Sequence, residues 1–377
     1  MVRKLLASLL LGLSALSSQS MPLNQFDSLV MFGDSLTDNG NLYAYMWGYL
    51  PISPPYYQGH FSNGPIWAEY LYQDWYGEQN VGGFQDYAVG GAGAVISRKG
   101  NLPFTLSIEV DDYLYWHTHD KPTTSLFAIW IGANNYLNGP SNVDSITTGV
   151  VNAIGDAVET LARNGGNKFL VANLPDLNAS PFVQKYGNPS LLKEITDVHN
   201  RKLADKIEEL RGKYPDIKLI FFDVNAAFEK AMADPAAYHL TNVTDPCYFG
   251  TYSGWYNAVQ AAPDLIYSDL KKRSAQFDNS HWEMIKDNPE LMTAAQFGFI
   301  YNQHPMSALE EPSTCYGYLF WDHIHPTTEV HRVIADEAKK LIKEAGLTSA
   351  MPDPGEAVKN KPFKYDVHRN RKNTSMS

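Results

Sequence analysis

The sequence is poor in cysteine and in basic residues, and it has no long apolar run after its first twenty residues. Two cysteines among 377 residues cannot complete a zinc site on their own, since such sites take three or four protein ligands. The 30 basic residues against 41 acidic ones give a formal net charge of −11, which argues against a nucleic-acid partner. No later stretch approaches the ~20 apolar residues of a membrane-spanning helix.

Several common sequence motifs are also missing. There is no Gly-x-Ser-x-Gly elbow, no Gly-x-x-x-x-Gly-Lys phosphate loop and no Gly-x-Gly-x-x-Gly fingerprint, so a classical α/β-hydrolase or a nucleotide-binding protein is not indicated. Two histidine pairs, His117 with His119 and His323 with His325, lack the spacing of a zinc motif. We therefore expect no metal ion and no cofactor.

The first twenty residues have the pattern of a cleavable signal peptide. Arg3 and Lys4 form the basic flank, residues 5–16 the apolar core and residues 18–20 a small-x-small cleavage site. A membrane anchor is the alternative, but the apolar core is short for one. We predict that residues 1–20 are removed and that the protein is secreted or periplasmic.

The two cysteines and the carboxyl-terminal stretch each allow a prediction. In an exported chain an even pair such as Cys247 and Cys315 is expected to form a disulfide. Residues 348–377 are polar and basic with little apolar surface to bury, so we expect a disordered tail. Residues 21–347 are then predicted to form one domain.

Between these ends, apolar runs alternate with helical periodicity. Short apolar runs predict buried strands at residues 28–32, 85–89, 126–131, 169–172 and 219–222. Apolar residues spaced by threes and fours predict helices around residues 67–72, 146–161, 191–210 and 328–342. The alternation predicts an α/β fold, a three-layer α/β/α sandwich with a central parallel sheet. Residues 226–318, rich in Tyr, Asn and Pro, break the rhythm and are interpreted as an inserted loop region.

Four short motifs occur in a characteristic order along the chain. They are Gly33-Asp34-Ser35-Leu36, Gly90-Gly91, Gly132-Ala133-Asn134 and Asp322-x-x-His325. In this order they resemble the GDSL (SGNH) hydrolase family, whose fold is flavodoxin-like. Residues 61–65 and 174–177 further resemble its branch of secreted bacterial lipases, phospholipases and glycerophospholipid:cholesterol acyltransferases. The similarity spans about residues 28–345.

Three side chains have the chemistry of a serine hydrolase. Acyl transfer needs a nucleophile, a base that takes its proton, and a group that orients the base. We assign these roles to Ser35, His325 and Asp322. The last two are three residues apart, a spacing that lets their side chains share one side of a turn.

Candidate donors for the developing oxyanion are assigned from elementary geometry and from the resemblance to the family. A glycine amide allows close approach because no side chain is in the way. The family implies Gly91 and the side chain of Asn134, beside the amide of Ser35, and Gly90 stays an alternative to Gly91. The family usually has aspartate after this asparagine. Here Asn135 follows, which leaves a supporting contact in question.

We expect a secreted serine esterase that hydrolyses acyl esters of lipids, of the phospholipase A or lysophospholipase type, with acyl transfer to another alcohol left open. The expected partner is a lipid or lysophospholipid substrate, and such a substrate allows contact with a membrane surface. One alternative is an acetyl- or short-chain carbohydrate esterase of the same fold. A second is a non-catalytic secreted binding protein on a hydrolase scaffold. The aromatic stretch at residues 43–61 either lines the mouth of the site or packs under a loop.

Overall fold

The computed structural model describes residues 22–77, 83–96, 104–117, 122–137, 139–249, 262–287, 289–302 and 315–350. The predicted signal peptide and all but the first residues of the predicted tail lie outside this set. Within it, no helix combines the length and the apolar character needed to cross a bilayer.

The strands confirm the predicted parallel sheet. They are β1 Gln25–Phe26, β2 Ser28–Gly33, β3 Gly83–Asp86, β4 Ser125–Trp130, β5 Lys168–Ala172, β6 Lys218–Phe222, β7 Asn242–Pro246, β8 Tyr318–Phe320 and β9 Thr348–Ser349. Strands β2 to β6 form one sheet in the order β3-β2-β4-β5-β6, and every neighbouring pair is parallel. Two short parallel pairs, β1 with β9 and β7 with β8, lie outside it.

Helices cover both faces of this sheet, as the sandwich prediction requires. They are α1 Asn41–Tyr45, α2 Trp67–Tyr76, α3 Leu106–Trp116, α4 Val143–Arg163, α5 Pro181–Tyr186, α6 Pro189–Lys213, α7 Val224–Ala233, α8 Pro263–Arg273, α9 Asn279–Asp287, α10 Pro289–Asn302 and α11 Thr328–Glu344. One layer contains α3, α4 and α6, which pack together, and the other contains α2 and α11. All residues of β4 and β5 are buried as a result, which explains their continuous apolar sequences.

The strand order creates one crevice at the carboxyl edge of the sheet. The first strand of the sheet, β2, lies between β3 and β4, so the chain leaves β2 on one side and returns on the other. Open α/β sheets bind ligands at such a point, because the segments that follow the two flanking strands diverge there. The segments after β2, β3 and β4 contain the Ser35, Gly91 and Asn134 motifs.

Several elements differ from the sequence-based expectation. The predicted strand at residues 85–89 is β3 at Gly83–Asp86, although the Tyr87 and Val89 N–H groups still donate to β2 carbonyls. The predicted inserted loop region, residues 226–318, contains helices α8, α9 and α10 in its described part. The helices α3, α5 and α7 were also not predicted.

Cys247 and Cys315 are joined by a disulfide, with their Cα atoms 5.6 Å apart. Cys247 follows β7, and its N–H donates to the carbonyl of Phe320 in β8. The bridge therefore joins two points of the inserted region, residues 247 and 315, close to β8, the strand that precedes Asp322.

Candidate active site

Ser35 lies on a tight turn directly after β2. A side chain on Gly33 would collide with the carbonyl oxygen of Trp130 at the end of β4, so only glycine allows this approach of the two strands. The Asp34 carbonyl then accepts the N–H groups of Thr37 and Asp38, each at 2.9 Å. This turn places Ser35 at the carboxyl edge of the sheet.

The carboxylate of Asp38 fixes the chain after this turn. It accepts the backbone N–H groups of Gly40, Asn41 and Leu42 at 2.8, 2.5 and 3.1 Å, which caps α1. It also accepts the N–H of Gly90 at 2.7 Å. One buried side chain thus connects the Ser35 turn to the segment after β3.

Ser35, His325 and Asp322 meet within hydrogen-bonding distance. The His325 Nε2 and Ser35 Oγ atoms are 2.8 Å apart, and His325 Nδ1 and Asp322 Oδ2 are also 2.8 Å apart. Asp322 Oδ1 accepts the backbone N–H groups of Ile324 and His325 at 2.8 and 2.7 Å. All three side chains are buried. This is the geometry in which an imidazole can take the serine proton while the carboxylate holds the ring.

Burial and hydrogen bonding act in opposite directions on Asp322. Burial by itself raises the pKa of this carboxyl group, but the charge of His325 and the donors on both oxygens outweigh it, so the pKa lies below its ordinary value. Asp322 is therefore ionised at neutral pH, the state that can orient an imidazole and stabilise its protonated form.

Other carboxyl groups around the Ser35 turn behave differently. Burial raises the pKa of Asp34 to about 7, and it also raises the pKa of Asp38. The pKa values of Asp86 and Glu109 lie well above the ordinary range, because burial and neighbouring carboxylates both disfavour ionisation. Glu109 Oε2 nevertheless accepts the N–H of Gly33 at 2.8 Å.

Glu109 was not among the predicted site residues. It lies on the buried face of α3 with Leu106, Val110 and Tyr113. A charged residue at a helical spacing of three and four from apolar ones is the signal that was available in the sequence.

The candidate oxyanion donors follow β3 and β4. The N–H of Gly90 is taken by Asp38, and a side chain at Gly90 would collide with Phe61. Among the described residues, no acceptor is found for the N–H groups of Gly91 and Ser35. Gly91 has a φ of 77°, a conformation that glycine adopts without strain. These contacts favour Gly91 over Gly90 as a donor.

The two asparagines after β4 support the segment that contains Gly91. Asn134 Nδ2 donates to the carbonyl of Ala92 at 2.9 Å, which uses one of its two hydrogens. Asn135 Oδ1 accepts the N–H of Ala94 at 2.8 Å, and its Nδ2 donates to the carbonyl of Val95 at 2.7 Å. An amide can make both Asn135 contacts, whereas an ionised aspartate cannot donate. Asn135 is thus suited to this loop.

A cavity opens beside Ser35, which forms part of its wall. Asp34 and Asn134 also line it, so the candidate nucleophile and one candidate donor face the same space. Most of the wall is apolar. Its larger apolar side chains are Leu36, Leu137, Leu177, Phe228, Met232, Phe320 and Ile324.

The aromatic stretch at residues 43–61 is mainly core. Five of its aromatic side chains are buried: Tyr45, Trp47, Tyr49, Tyr56 and Phe61. Phe61 packs behind the site, with its ring centroid 5.0 Å from that of His325. The cavity wall comes instead from the segments after β4 and β5, from α7 and from the turn around His325.

His117 and His323, which also belong to the two histidine pairs of the sequence, make contacts outside the Ser35 site. His117 Nε2 lies 2.9 Å from the Tyr87 hydroxyl, and the His323 carbonyl accepts the Phe182 N–H. His119 lies outside the described residues. In the described part of the chain, no three His, Cys, Asp or Glu side chains converge as a metal site would require.

The model of the family described as GDSL-like Lipase/Acylhydrolase matches residues 29–338. The chain belongs to this family. It is therefore an enzyme, a carboxylic ester hydrolase, and the match covers the Ser35 turn as well as Asp322 and His325.

Individual relatives are similar over most of the chain. The "Phosphatidylcholine-sterol acyltransferase" of Aeromonas hydrophila is 32% identical over 345 residues, which cover 89% of this chain and 96% of that protein. The "Thermolabile hemolysin" of Vibrio parahaemolyticus is 25% identical over 84% of this chain and 64% of its own length. A solved carbohydrate acetylesterase from Sinorhizobium meliloti is 16% identical over 53% of this chain and 84% of its own, and its TM-score of 0.36 is too low to add to the fold described above.

Proposed function

We propose that this GDSL hydrolase is an exported lipase of the phospholipase A or lysophospholipase type, with Ser35 as its nucleophile. The observation that carries the proposal is the hydrogen-bonded chain from Ser35 through His325 to Asp322, placed at the wall of an apolar cavity. A buried nucleophile beside an apolar cavity suits an ester whose acyl part is a hydrocarbon chain.

In the proposed reaction, Ser35 Oγ attacks the ester carbonyl while its proton passes to His325 Nε2. The carbonyl oxygen gains negative charge and is stabilised by the N–H groups of Ser35 and Gly91 and by the remaining Nδ2 hydrogen of Asn134. His325 then protonates the leaving alcohol, which departs and leaves an acyl group on Ser35. Water attacks this acyl-enzyme with His325 as its base, and the free acid leaves.

Lipid specificity and export rest on separate observations. The cavity wall contains seven larger apolar side chains, which suit a hydrocarbon acyl chain better than an acetyl group. The name of the Aeromonas relative specifies a phosphatidylcholine as acyl donor.

For export, the amino-terminal sequence has the pattern of a signal peptide, and the Cys247–Cys315 disulfide is of a kind that persists in oxidising compartments.

Acyl transfer to an alcohol is a second candidate activity. The same relative is named as a sterol acyltransferase and aligns over 96% of its own length. Transfer needs only that an alcohol replaces water in the attack on the acyl-enzyme, so the Ser35 chemistry is common to both. Incubation with phosphatidylcholine, with and without cholesterol, separates them through the appearance of cholesteryl ester beside free fatty acid.

The first test addresses the nucleophile. Wild-type protein is expected to be labelled by a fluorophosphonate and to release fatty acid from phospholipid and lysophospholipid vesicles, and Ser35→Ala should lose both properties. A folded Ser35→Ala variant that keeps its activity would refute the assignment of Ser35.

The second test addresses the cavity. Ala179 lines it and is half-buried, so Ala179→Leu should reduce the space for an acyl chain. We expect kcat/KM to fall for long-chain esters and to change little for acetate and butyrate esters, with the exposed Ala236→Leu as control. A wild-type maximum at acetate, unaffected by Ala179→Leu, would favour a short-chain carbohydrate esterase.

A further inference from the structure

Tyr56 makes a contact with Asp322 that the Ser35 chemistry described above does not include. The Tyr56 hydroxyl donates to Asp322 Oδ2 at 2.7 Å, the same oxygen that lies 2.8 Å from His325 Nδ1. Tyr56 is 1% exposed and Asp322 is fully buried. Oδ1 accepts two backbone N–H groups. The carboxylate therefore has hydrogen-bond partners on both oxygens: backbone amides on Oδ1, and an imidazole and a phenol hydroxyl on Oδ2.

The ring of Tyr56 is held by other aromatic side chains. It packs edge to face against Phe61, Tyr248 and Trp321, with ring centroids 6.0, 5.8 and 5.8 Å away. Trp321 precedes Asp322 in the chain, and the Tyr248 N–H donates to the Trp321 carbonyl at 2.7 Å. The hydroxyl therefore meets Asp322 from a fixed direction, so this hydrogen bond loses little entropy when it forms.

We propose that Tyr56 is a positioning residue for the Ser35 reaction, whose hydroxyl shares Asp322 Oδ2 with His325 and so sets the strength of the Asp322–His325 interaction. The inference rests on the proposed function, since it assigns Tyr56 a task in the same triad. It goes further in making a residue from the aromatic stretch, almost 270 residues before Asp322 in the chain, part of the proton-transfer apparatus.

A single oxygen atom, Asp322 Oδ2, is shared by the Tyr56 hydroxyl and the His325 imidazole. A hydroxyl that donates to Asp322 Oδ2 withdraws charge from it, which weakens its attraction for a protonated imidazole. When the hydroxyl is removed, this attraction grows and the imidazole keeps its proton to a higher pH. The carboxylate also loses one restraint on its orientation, which lowers the rate of every step that needs His325 as a base.

The test is the pH profile of kcat/KM for Tyr56→Phe on a soluble ester. We expect the acid limb of the profile to move to higher pH by about half a unit, with kcat/KM at its plateau about tenfold lower, because a hydrogen bond to a charged group is lost. An acid limb in the wild-type position, with a plateau within twofold of wild type, would overturn the inference.

A matched control separates this effect from general loss of a buried hydroxyl. Tyr49 belongs to the same stretch, is fully buried, and donates from its hydroxyl to Asp269 Oδ2 at 2.6 Å. Tyr49→Phe should lower the melting temperature without moving the acid limb. If Tyr49→Phe moved the limb as far as Tyr56→Phe does, the inference would fail.

A second comparison uses the residual activity of Asp322→Asn. Adding Tyr56→Phe to this variant should change kcat/KM less than twofold, because the shared charged oxygen is already gone. An undiminished tenfold loss would mean that Tyr56 acts only through folding, and would overturn the inference. If Tyr56→Phe does not fold, 3-fluorotyrosine at position 56, a stronger donor, should move the acid limb to lower pH, and no movement would overturn the inference.

The two levels of proposal can fail separately. If Ser35→Ala keeps its activity and its fluorophosphonate labelling, the proposed function fails whatever Tyr56 does. If Ser35→Ala is inactive and Tyr56→Phe has the wild-type pH profile, only the assignment of Tyr56 fails.

Discussion

Replacing Asn135 by aspartate tests whether the loop after β3 depends on an amide at this position. Asn135 is 2% exposed and bridges the N–H of Ala94 and the carbonyl of Val95. Asn135→Asp keeps the acceptor for Ala94 and changes the side chain by one atom. It removes the donor to Val95 and places an anionic oxygen against a carbonyl oxygen.

The magnitude follows from burial. An unpaired buried polar group costs about 1 to 3 kcal/mol, more when it is charged. The buried carboxyl group of the variant can avoid ionisation only by keeping a proton, and a protonated carboxyl can donate to the Val95 carbonyl as the amide does. We therefore expect a loss of about 2 to 3 kcal/mol in the free energy of unfolding at pH 8 and a smaller loss at pH 5.

The effect on catalysis follows from the neighbours of this loop. Asn134 Nδ2 is bonded to the carbonyl of Ala92, two residues before Ala94. A shift of the loop therefore moves two proposed oxyanion donors, Gly91 and Asn134, and misplacement on this scale lowers kcat by about tenfold or more.

The assay combines urea denaturation and steady-state kinetics at pH 5 and pH 8, with Asn200→Asp as control. Asn200 makes the same pair of contacts with Leu174, accepting its N–H at 3.0 Å and donating to its carbonyl at 2.8 Å. The control should lose comparable stability with kcat within twofold on a short-chain ester. Wild-type stability and kcat for Asn135→Asp at both pH values would refute the reasoning.

Two further predictions concern stability. Burial raises the pKa of Asp34 to about 7, so at any pH between its pKa in the unfolded chain and 7, Asp34 takes up a proton when the chain folds. This favours the folded state at pH 5 and the effect is lost as the pH rises. The free energy of unfolding of Asp34→Asn, measured by urea denaturation, should therefore rise by about 2 kcal/mol relative to that of the wild type between pH 5 and pH 8; a pH-independent difference would contradict this. The Cys247–Cys315 bridge has a sequence separation of 68 residues, so replacing both cysteines by serine should cost about 4 kcal/mol of stability in the chain-entropy model, and an unchanged melting temperature would contradict it.

The strands and the long helices were predictable because their buried positions coincide with the apolar residues of the sequence. In β4 and β5 every residue is buried and nearly every side chain is apolar. In α4 and α11 the buried residues recur by threes and fours. Here local sequence and tertiary packing favour the same structure, so the order of elements and the fold class followed.

Two of the missed helices, α3 and α9, show this pattern only weakly. In α3, Tyr115 and Trp116 are exposed while Glu109 is buried, so apolar character does not mark the inner face. In the inserted region, α9 has a single buried apolar residue, Ile285, among those described. Tertiary contacts decide α3 and α9, because few buried apolar residues mark their inner faces.

The candidate site was predictable as a set of residues but not as a network. Motif order pointed to Ser35, Asp322 and His325, which the structure brings within hydrogen-bonding distance. Tyr56 contacts Asp322, and Glu109 accepts the N–H of Gly33 just before the Ser35 turn, through pairings 266 and 76 residues apart in the chain. No local pattern specifies partners at that separation, and the choice between Gly90 and Gly91 likewise required the Asp38 contact.

The contrast between Asp34 and Asp322 shows why the roles needed the structure. Both carboxyl groups are buried, and both interact with the charge of His325. Asp322 is paired with the imidazole and has donors on both oxygens, so its pKa stays below the ordinary value. Asp34 accepts the Leu36 N–H, lies near the like charge of Asp38, and has its pKa raised to about 7. Two aspartates near one histidine are thus separated by their surroundings. Of the two, Asp322 is the one held as an anion, which supports its proposed role of orienting His325 against Ser35.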